Sequence, residues 1–323
     1  MAKSVLSDAR FHNEEAAFAY VEAELWPNGP VCPHCENADS AKIGRLEGVY
    51  SKPSKKNPEG VLRVGLRKCY APGCREQFTV RKGTIFEDSA LPLRLWLQAI
   101  HLLCSSKKGF STRQLQRTLG CGMKTAWHLG HRIRYGMAPL ASVGQLGGAG
   151  KTVEADETEL ARSRKTKRPA GFRRKTHNPI VVSLVERGGD IRSQMLDHNS
   201  AMSVVRNNVH KDSRLVTDTT TRYRLAPVAN HEMVDHSKFE WVRDDVHTNT
   251  LEGFFSVLKR GLVGVYQHVG RKHLDRYLAE FDFRQNTRAK LGVDDVERAQ
   301  RAIRGMVGKR LTYRDSSLGT ENV

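Results

Sequence analysis

Apolar positions along the chain change their period several times. Ala17, Phe18, Val21 and Leu25 recur at helical spacing behind Asn13, a capping residue type, with Glu14 and Glu15 in the first turn. They predict a helix over residues 12–26, stopped by Trp26-Pro27-Asn28-Gly29-Pro30. From Val31 to about Val80 the pattern is one of short strands and turns, with a polar loop over 51–60. A second helical block runs from Pro92 to Met137 and breaks at Lys107-Lys108-Gly109. Val143 to Lys151 holds four glycines in nine residues and predicts a linker. Beyond it, buried-strand compositions fall at 152–157, 178–187, 190–196 and 213–217. A helix from an Asn199 cap to about His210 separates the last two strands, and helices at 247–263 and 271–288 close the pattern. Strands, a helix, a strand and more helices make an α/β order.

The expected architecture is therefore multi-domain. Residues 1–88 form a helix and metal ribbon, 89–142 a helical region, 143–151 a linker, 152–290 an α/β domain and 291–323 a C-terminal tail. No apolar run approaches the roughly 18–20 residues of a membrane span, and the N-terminus lacks an apolar signal region. The expected location is the cytoplasm, where thiols stay reduced.

Charge narrows the function. Lys and Arg number 53 against 35 Asp and Glu, a net charge of +18. A surplus of this size serves a polyanion, most often nucleic acid. Cys32-Pro-His-Cys35 and Cys69-Tyr-Ala-Pro-Gly-Cys74 are two thiolate knuckles, 33 residues apart, which is zinc-ribbon spacing. Four protein ligands leave no open position, so the expected Zn²⁺ is structural.

Residues 111–128, with Gly120 and Gly122 between two amphipathic stretches, have a helix-turn-helix shape. Lys124, Thr125, His128, His131, Arg132 and Arg134 fall on the polar side of the second helix, the side expected to read double-stranded DNA. In so basic a chain, acids at strand ends stand out. Glu154 and Asp156 share one side of a strand, Asp218 ends another, and Asn249 and Glu252 share one face of a helix that also carries Lys259. Converging carboxylates suit Mg²⁺ or Mn²⁺ and phosphodiester chemistry.

Taken together, CPHC with CYAPGC, QFTVRKGTIFEDSALPL, VEADET, VTD and the stretch from HTNTLEGFF to FRQNTR resemble the DDE-class insertion-sequence transposases of the ISXO-like group. The resemblance covers roughly residues 15–290. It implies an RNase H-like catalytic domain with Asp156 on the first strand, Asp218 just after the fourth and a third ligand on a later helix. Members of the group use an acid or an asparagine as third ligand, and this chain offers Glu252 and Asn249. The 33-residue gap from Asp218 and Lys259 seven positions on favour Glu252. The resemblance also implies transposon-end and target DNA as partners, a homo-oligomeric active complex and nucleoid association.

Lys259 and His247 are expected to contact phosphates. The basic run holding Arg164, Lys165, Lys167, Arg168, Arg173, Arg174 and Lys175 is expected to track the DNA backbone. Two rival functions remain at this point: a transcription regulator with an inactive α/β domain, and a nuclease that cuts without rejoining.

Overall fold

The structure, a computed structural model, describes residues 4–55, 57–139, 144–160, 178–196, 200–219, 221–224, 226–235 and 238–318. The chain forms two compact units.

The first unit comprises residues 1–105, 112–137 and 295–317. It opens with helix α1 (Glu14–Leu25), whose Asn13 cap accepts from the Ala16 amide at 2.9 Å. A three-stranded antiparallel sheet follows, in the order β1 (Ile43–Arg45), β2 (Arg67–Cys69), β3 (Gln77–Phe78). The expected second helical block is three helices: α2 (Leu93–Ser105), α3 (Thr112–Leu119) and α4 (Met123–Met137). Glu14 reaches from α1 to the start of α2. Its carboxylate accepts the Leu93 and Arg94 amides at 2.6 and 3.1 Å, two donors a helix start leaves unsatisfied.

The segment from residue 291 is not the tail the sequence suggested. Most of it folds as α8 (Asp295–Arg304), which buries Ala299, Ala302 and Ile303 in the first unit. The Ile85 amide then donates to the Met306 carbonyl at 3.0 Å. The short helix α9 (Tyr313–Leu318) ends the described chain.

The second unit comprises residues 106–111, 138–294 and 318–323. Its sheet contains β4 (Thr152–Glu159), β5 (Ile180–Glu186), β6 (Ile191–Leu196), β7 (Arg214–Asp218) and β8 (Asn230–Val234). The strand order is β6-β5-β4-β7-β8. β4, β5 and β6 pair antiparallel, while β7 runs parallel to both β4 and β8.

One face of this sheet packs on α5 (Ala201–Asn208) through Val153, Ala155, Val182, Leu184 and Leu215. The other packs on α6 (Asn249–Gly261) and α7 (Leu274–Asn286) through Val181, Val185, Leu251, Phe255 and Phe281. Ser200, one residue past the expected Asn199, caps α5, while Asn199 itself lies outside the described residues. The glycine-rich segment is not a free linker in its described part, 144–151. Leu146 is buried in the α5-side core and exchanges backbone hydrogen bonds with Asn208 and His210, at 2.7 and 2.8 Å.

Candidate active site and zinc centre

The four knuckle cysteines converge. Cys32 and Cys74 place their sulfurs 3.7 Å apart, and Cys35 and Cys69 do the same. All four Sγ atoms lie within 4.8 Å of one another. A tetrahedron with Zn–S bonds of about 2.3 Å has S···S edges of about 3.8 Å, so the thiols already stand at zinc-ligand spacing. The Ala71 amide points at Cys69 Sγ from 3.5 Å. Residues and geometry fit a structural zinc.

In the second unit the strand period sorts the acids. Val153 and Ala155 face the α5 core, so Glu154 and Asp156 share the face covered by α6. β4 pairs with β7 from Thr152↔Arg214 to Glu154↔Val216. Carried two residues further, that register sets Asp156 level with Asp218, the last residue of β7. Asn249 is the first residue of α6 and Glu252 lies in its first turn, both exposed.

Asp156 feels the other two carboxylates. Burial pushes the Asp156 carboxyl up to about 7, against a lowering hydrogen bond from the Glu157 amide at 2.7 Å. The negative charges of Asp218, Glu157 and Glu252 push it the same way. Glu157 is otherwise engaged, its Oε1 2.7 Å from Arg222 Nη1. Among the described residues only the four cysteines have three or more metal-binding atoms all within 4.8 Å, so the carboxylates form a more open set.

Glu154 does something the sequence did not reveal. It is fully buried and accepts from the Thr250 amide at 3.1 Å, the Thr250 hydroxyl at 2.9 Å and Arg187 Nε at 2.9 Å. The first turn of α6 has no side-chain cap of its own. Glu154 supplies one from two residues before Asp156, and so ties the helix carrying Glu252 to the strand carrying Asp156. Arg187 completes the clamp by donating to the His247 carbonyl at 2.9 Å and the Asp245 carbonyl at 2.7 Å. His247, expected to meet phosphate, turns Nδ1 toward Glu154 at 3.7 Å and is part of this clamp. The alternation of Glu154 with Asp156 was a usable signal for the buried acid. Nothing in the turn Arg187-Gly188-Gly189 signalled its partner.

The expected DNA-reading face of α4 is only partly exposed. Lys124 and Thr125 are exposed and His128 is half-buried, its ring 5.5 Å from that of Tyr313. Arg132 and Arg134 are buried, as is His131, which corrects their assignment to DNA. Arg132 donates to the Ile85 and Glu87 carbonyls and lies over the Trp96 ring at 4.9 Å, ties that hold the domain together. Lys259 is exposed on α6. Arg164, Lys165, Lys167, Arg168, Arg173, Arg174 and Lys175 lie outside the described residues.

Comparison with known proteins bears on both units. Residues 12–77 match the transposase zinc-ribbon domain, and residues 145–286 match the ISXO2-like transposase domain. The chain thus carries a transposase zinc ribbon followed by an ISXO2-like transposase domain. The transposase-domain match runs from just before β4 to the end of α7 and takes in both aspartates, Asn249 and Glu252. Over 303 residues the transposase is 25% identical to "Uncharacterized protein in transposable element ISH50" of Halobacterium salinarum (strain ATCC 700922 / JCM 11081 / NRC-1). That alignment covers 89% of this chain and 96% of the relative. No solved structure matches the chain. No helix among the described residues is long and apolar enough to cross a membrane.

Proposed function

We propose that this transposase performs divalent-cation-dependent DNA strand cleavage and strand transfer at insertion-sequence ends, with Asp156, Asp218 and Glu252 as the cation ligands. The observation that carries this is the convergence of the three acids. Two lie level on adjacent parallel strands, and the third sits on a helix pinned to the first strand. The strand order, with three antiparallel strands followed by two parallel ones, supports reading this unit as RNase H-like.

Hard carboxylate oxygens, with Asp156 raised by burial first and then by its neighbours' negative charge, are the donor set that Mg²⁺ or Mn²⁺ takes. Such ions, when bound, activate a water or 3′-hydroxyl and stabilise the leaving oxygen of a phosphodiester. The chain's own part is positional. β4 and β7 fix the two aspartates, Glu154 fixes the helix, and the exposed Glu252 is left unconstrained by packing to complete the set. Glu252 is preferred to Asn249 because its charge is among those that raise Asp156.

DNA is held by the ribbon, by α3 and α4 acting as a helix-turn-helix that offers Lys124, Thr125 and His128, and by the basic run 162–175. The protein acts as a homo-oligomer on paired ends.

The test is cleavage and strand transfer on oligonucleotides carrying the element's ends, with Mg²⁺ or Mn²⁺. Asp156→Asn and Asp218→Asn are expected to lose activity by orders of magnitude while retaining duplex binding. Glu252→Gln is expected to be inactive and Asn249→Ala only impaired. Full strand transfer by the double aspartate variant overturns the proposal.

A further inference from the structure

The segment after β8 inverts the usual order of burial. Its polar groups turn on one another. The Asp235 amide donates to Glu240 Oε2 at 3.1 Å, and the Lys238 and Glu240 amides donate to the Asp235 carbonyl at 3.0 and 3.2 Å. Arg243 donates to the Met233 carbonyl at 3.0 Å and to Glu240 Oε1 at 3.3 Å. The apolar side chains meanwhile face water, with Phe239 84%, Trp241 56% and Val242 49% exposed. Phe239 also sits at φ 62°, a left-handed backbone that a bulky residue keeps only where its surroundings enforce it. A hydrogen-bonded frame thus presents an aromatic tip to solvent, and clustered exposed apolar groups of this kind mark contact surfaces.

Position and charge say what the tip meets. Asp218 pairs with Val234, and Thr219 Oγ1 lies 3.4 Å from Asp235 Oδ1. The frame is therefore rooted one residue past the strand position that faces Asp218. A DNA strand reaching the carboxylates passes beside it, a step that rests on the proposed function. The segment is not a phosphate tracker, because Lys238 pairs with Asp235 at 3.4 Å and Arg243 with Glu240. What it offers is aromatic faces. In duplex DNA the faces of the bases are covered by their neighbours, whereas an unpaired base exposes its face and stacks on Phe or Trp.

We propose that Phe239 and Trp241 form a stacking platform for unpaired bases beside the scissile phosphodiester. The platform holds strands opened at the reaction point and takes them without regard to sequence.

The test is fluorescence anisotropy of the zinc-loaded, full-length protein without added Mg²⁺ or Mn²⁺. The probes are a labelled short oligothymidylate and a blunt duplex of equal length. Phe239→Ala with Trp241→Ala is expected to weaken single-strand binding about 10- to 100-fold and to leave duplex binding within about twofold. Phe239→Tyr with Trp241→Phe keeps the aromatic faces and is expected to bind like wild type, which separates stacking from damage to the fold. Equal losses on both probes, or unchanged single-strand binding by the alanine variant, overturn the proposal. So does a change in sedimentation with DNA binding intact, which would assign the tip to a second copy of the chain. Because no cation is added, Asp156→Asn is expected to bind the oligothymidylate normally. An error in the catalytic reading is thereby distinguishable from an error here.

Discussion

The molecule contains a group of cysteines and a group of carboxylates, built in opposite ways. The ribbon takes four soft ligands from two short turns, and their sulfurs stand at zinc spacing. The second unit sets three carboxylates on β4, β7 and α6, the proposed cation ligands, as a more open set in which burial first, then neighbouring negative charge, pushes Asp156 up to about 7. Neutral thiols tolerate close approach and give up protons as the ion binds. Carboxylates charged at neutral pH repel, so their framework must be held by other bonds. Glu154 and Arg187 provide them. The cysteine site is closed by its own turns, while the proposed cation site is braced from behind.

The largest expected effect tests the closed half of this contrast. Cys69→Ser removes one of four ligands, and in zinc-finger peptides the metal is worth about 10–16 kcal/mol of folding free energy. Zinc content is expected to fall from about one ion per chain to background, with loss of the ribbon's fold. Metal analysis with circular dichroism reads both, and full zinc in the variant would show that the fourth thiol is dispensable.

Next in size is the brace. Glu154→Ala leaves the Thr250 amide and Arg187 without their buried acceptor and is expected to cost about 3–5 kcal/mol in denaturant unfolding. Glu154→Gln still accepts from Thr250 and loses only the charge facing Arg187, so about 1–3 kcal/mol is expected. If Gln and Ala cost the same, the hydrogen bonds to α6 are not what the carboxylate supplies. A metal-ligand role for Glu154 would instead show as weakened Mn²⁺ binding at unchanged stability.

The elements legible in the sequence were those whose signals are local. The cysteine knuckles, the Asn13 cap, β4, β5 and α6 depend on residues a few positions apart. β8 escaped notice because Asn230-His231-Glu232-Met233-Val234 carries only one fully buried side chain and takes its place by pairing with β7. α8 escaped because alanines give its inward face little apolar weight, although Ala299, Ala302 and Ile303 hold helical spacing. On α4 the polar residues were read as one exposed face. Charge alone does not tell an arginine that meets DNA from one that ties carbonyls in the interior, and Arg132 is of the second kind.

That distinction gives the third expectation. Arg132→Ala removes hydrogen bonds to the Ile85 and Glu87 carbonyls and the contact with Trp96. A loss of about 2–3 kcal/mol is expected. Lys124→Ala, on the exposed part of the same helix, is expected to change stability by less than about 0.5 kcal/mol. It should lower duplex affinity and reduce the salt slope by about one ion. The reverse pattern would return Arg132 to the DNA-binding face.

The smallest effect concerns pH and tests the open half of the contrast. Burial, then the charges of Asp218, Glu157 and Glu252, raise Asp156 to about 7, so the folded protein holds its proton more tightly than the unfolded chain does. For a raised carboxylate the sign is fixed. Its contribution to stability declines as pH climbs from about 4 to about 7, because the folded state must then accept a charge it disfavours. A divalent cation competes with that proton, so its affinity is expected to rise about tenfold per pH unit below 7 and to level off above. Asp282, buried against Ser193 and also raised to about 7, shares this window, so the unfolding curve alone does not isolate Asp156. Mn²⁺ titrations at several pH values, in wild type and in Asp156→Asn, do isolate it. The wild-type slope is expected to vanish in the variant, along with most of the affinity. A slope that survives there would move the crowded proton to Asp218 or Glu252 and leave Asp156 outside the cation's first contacts.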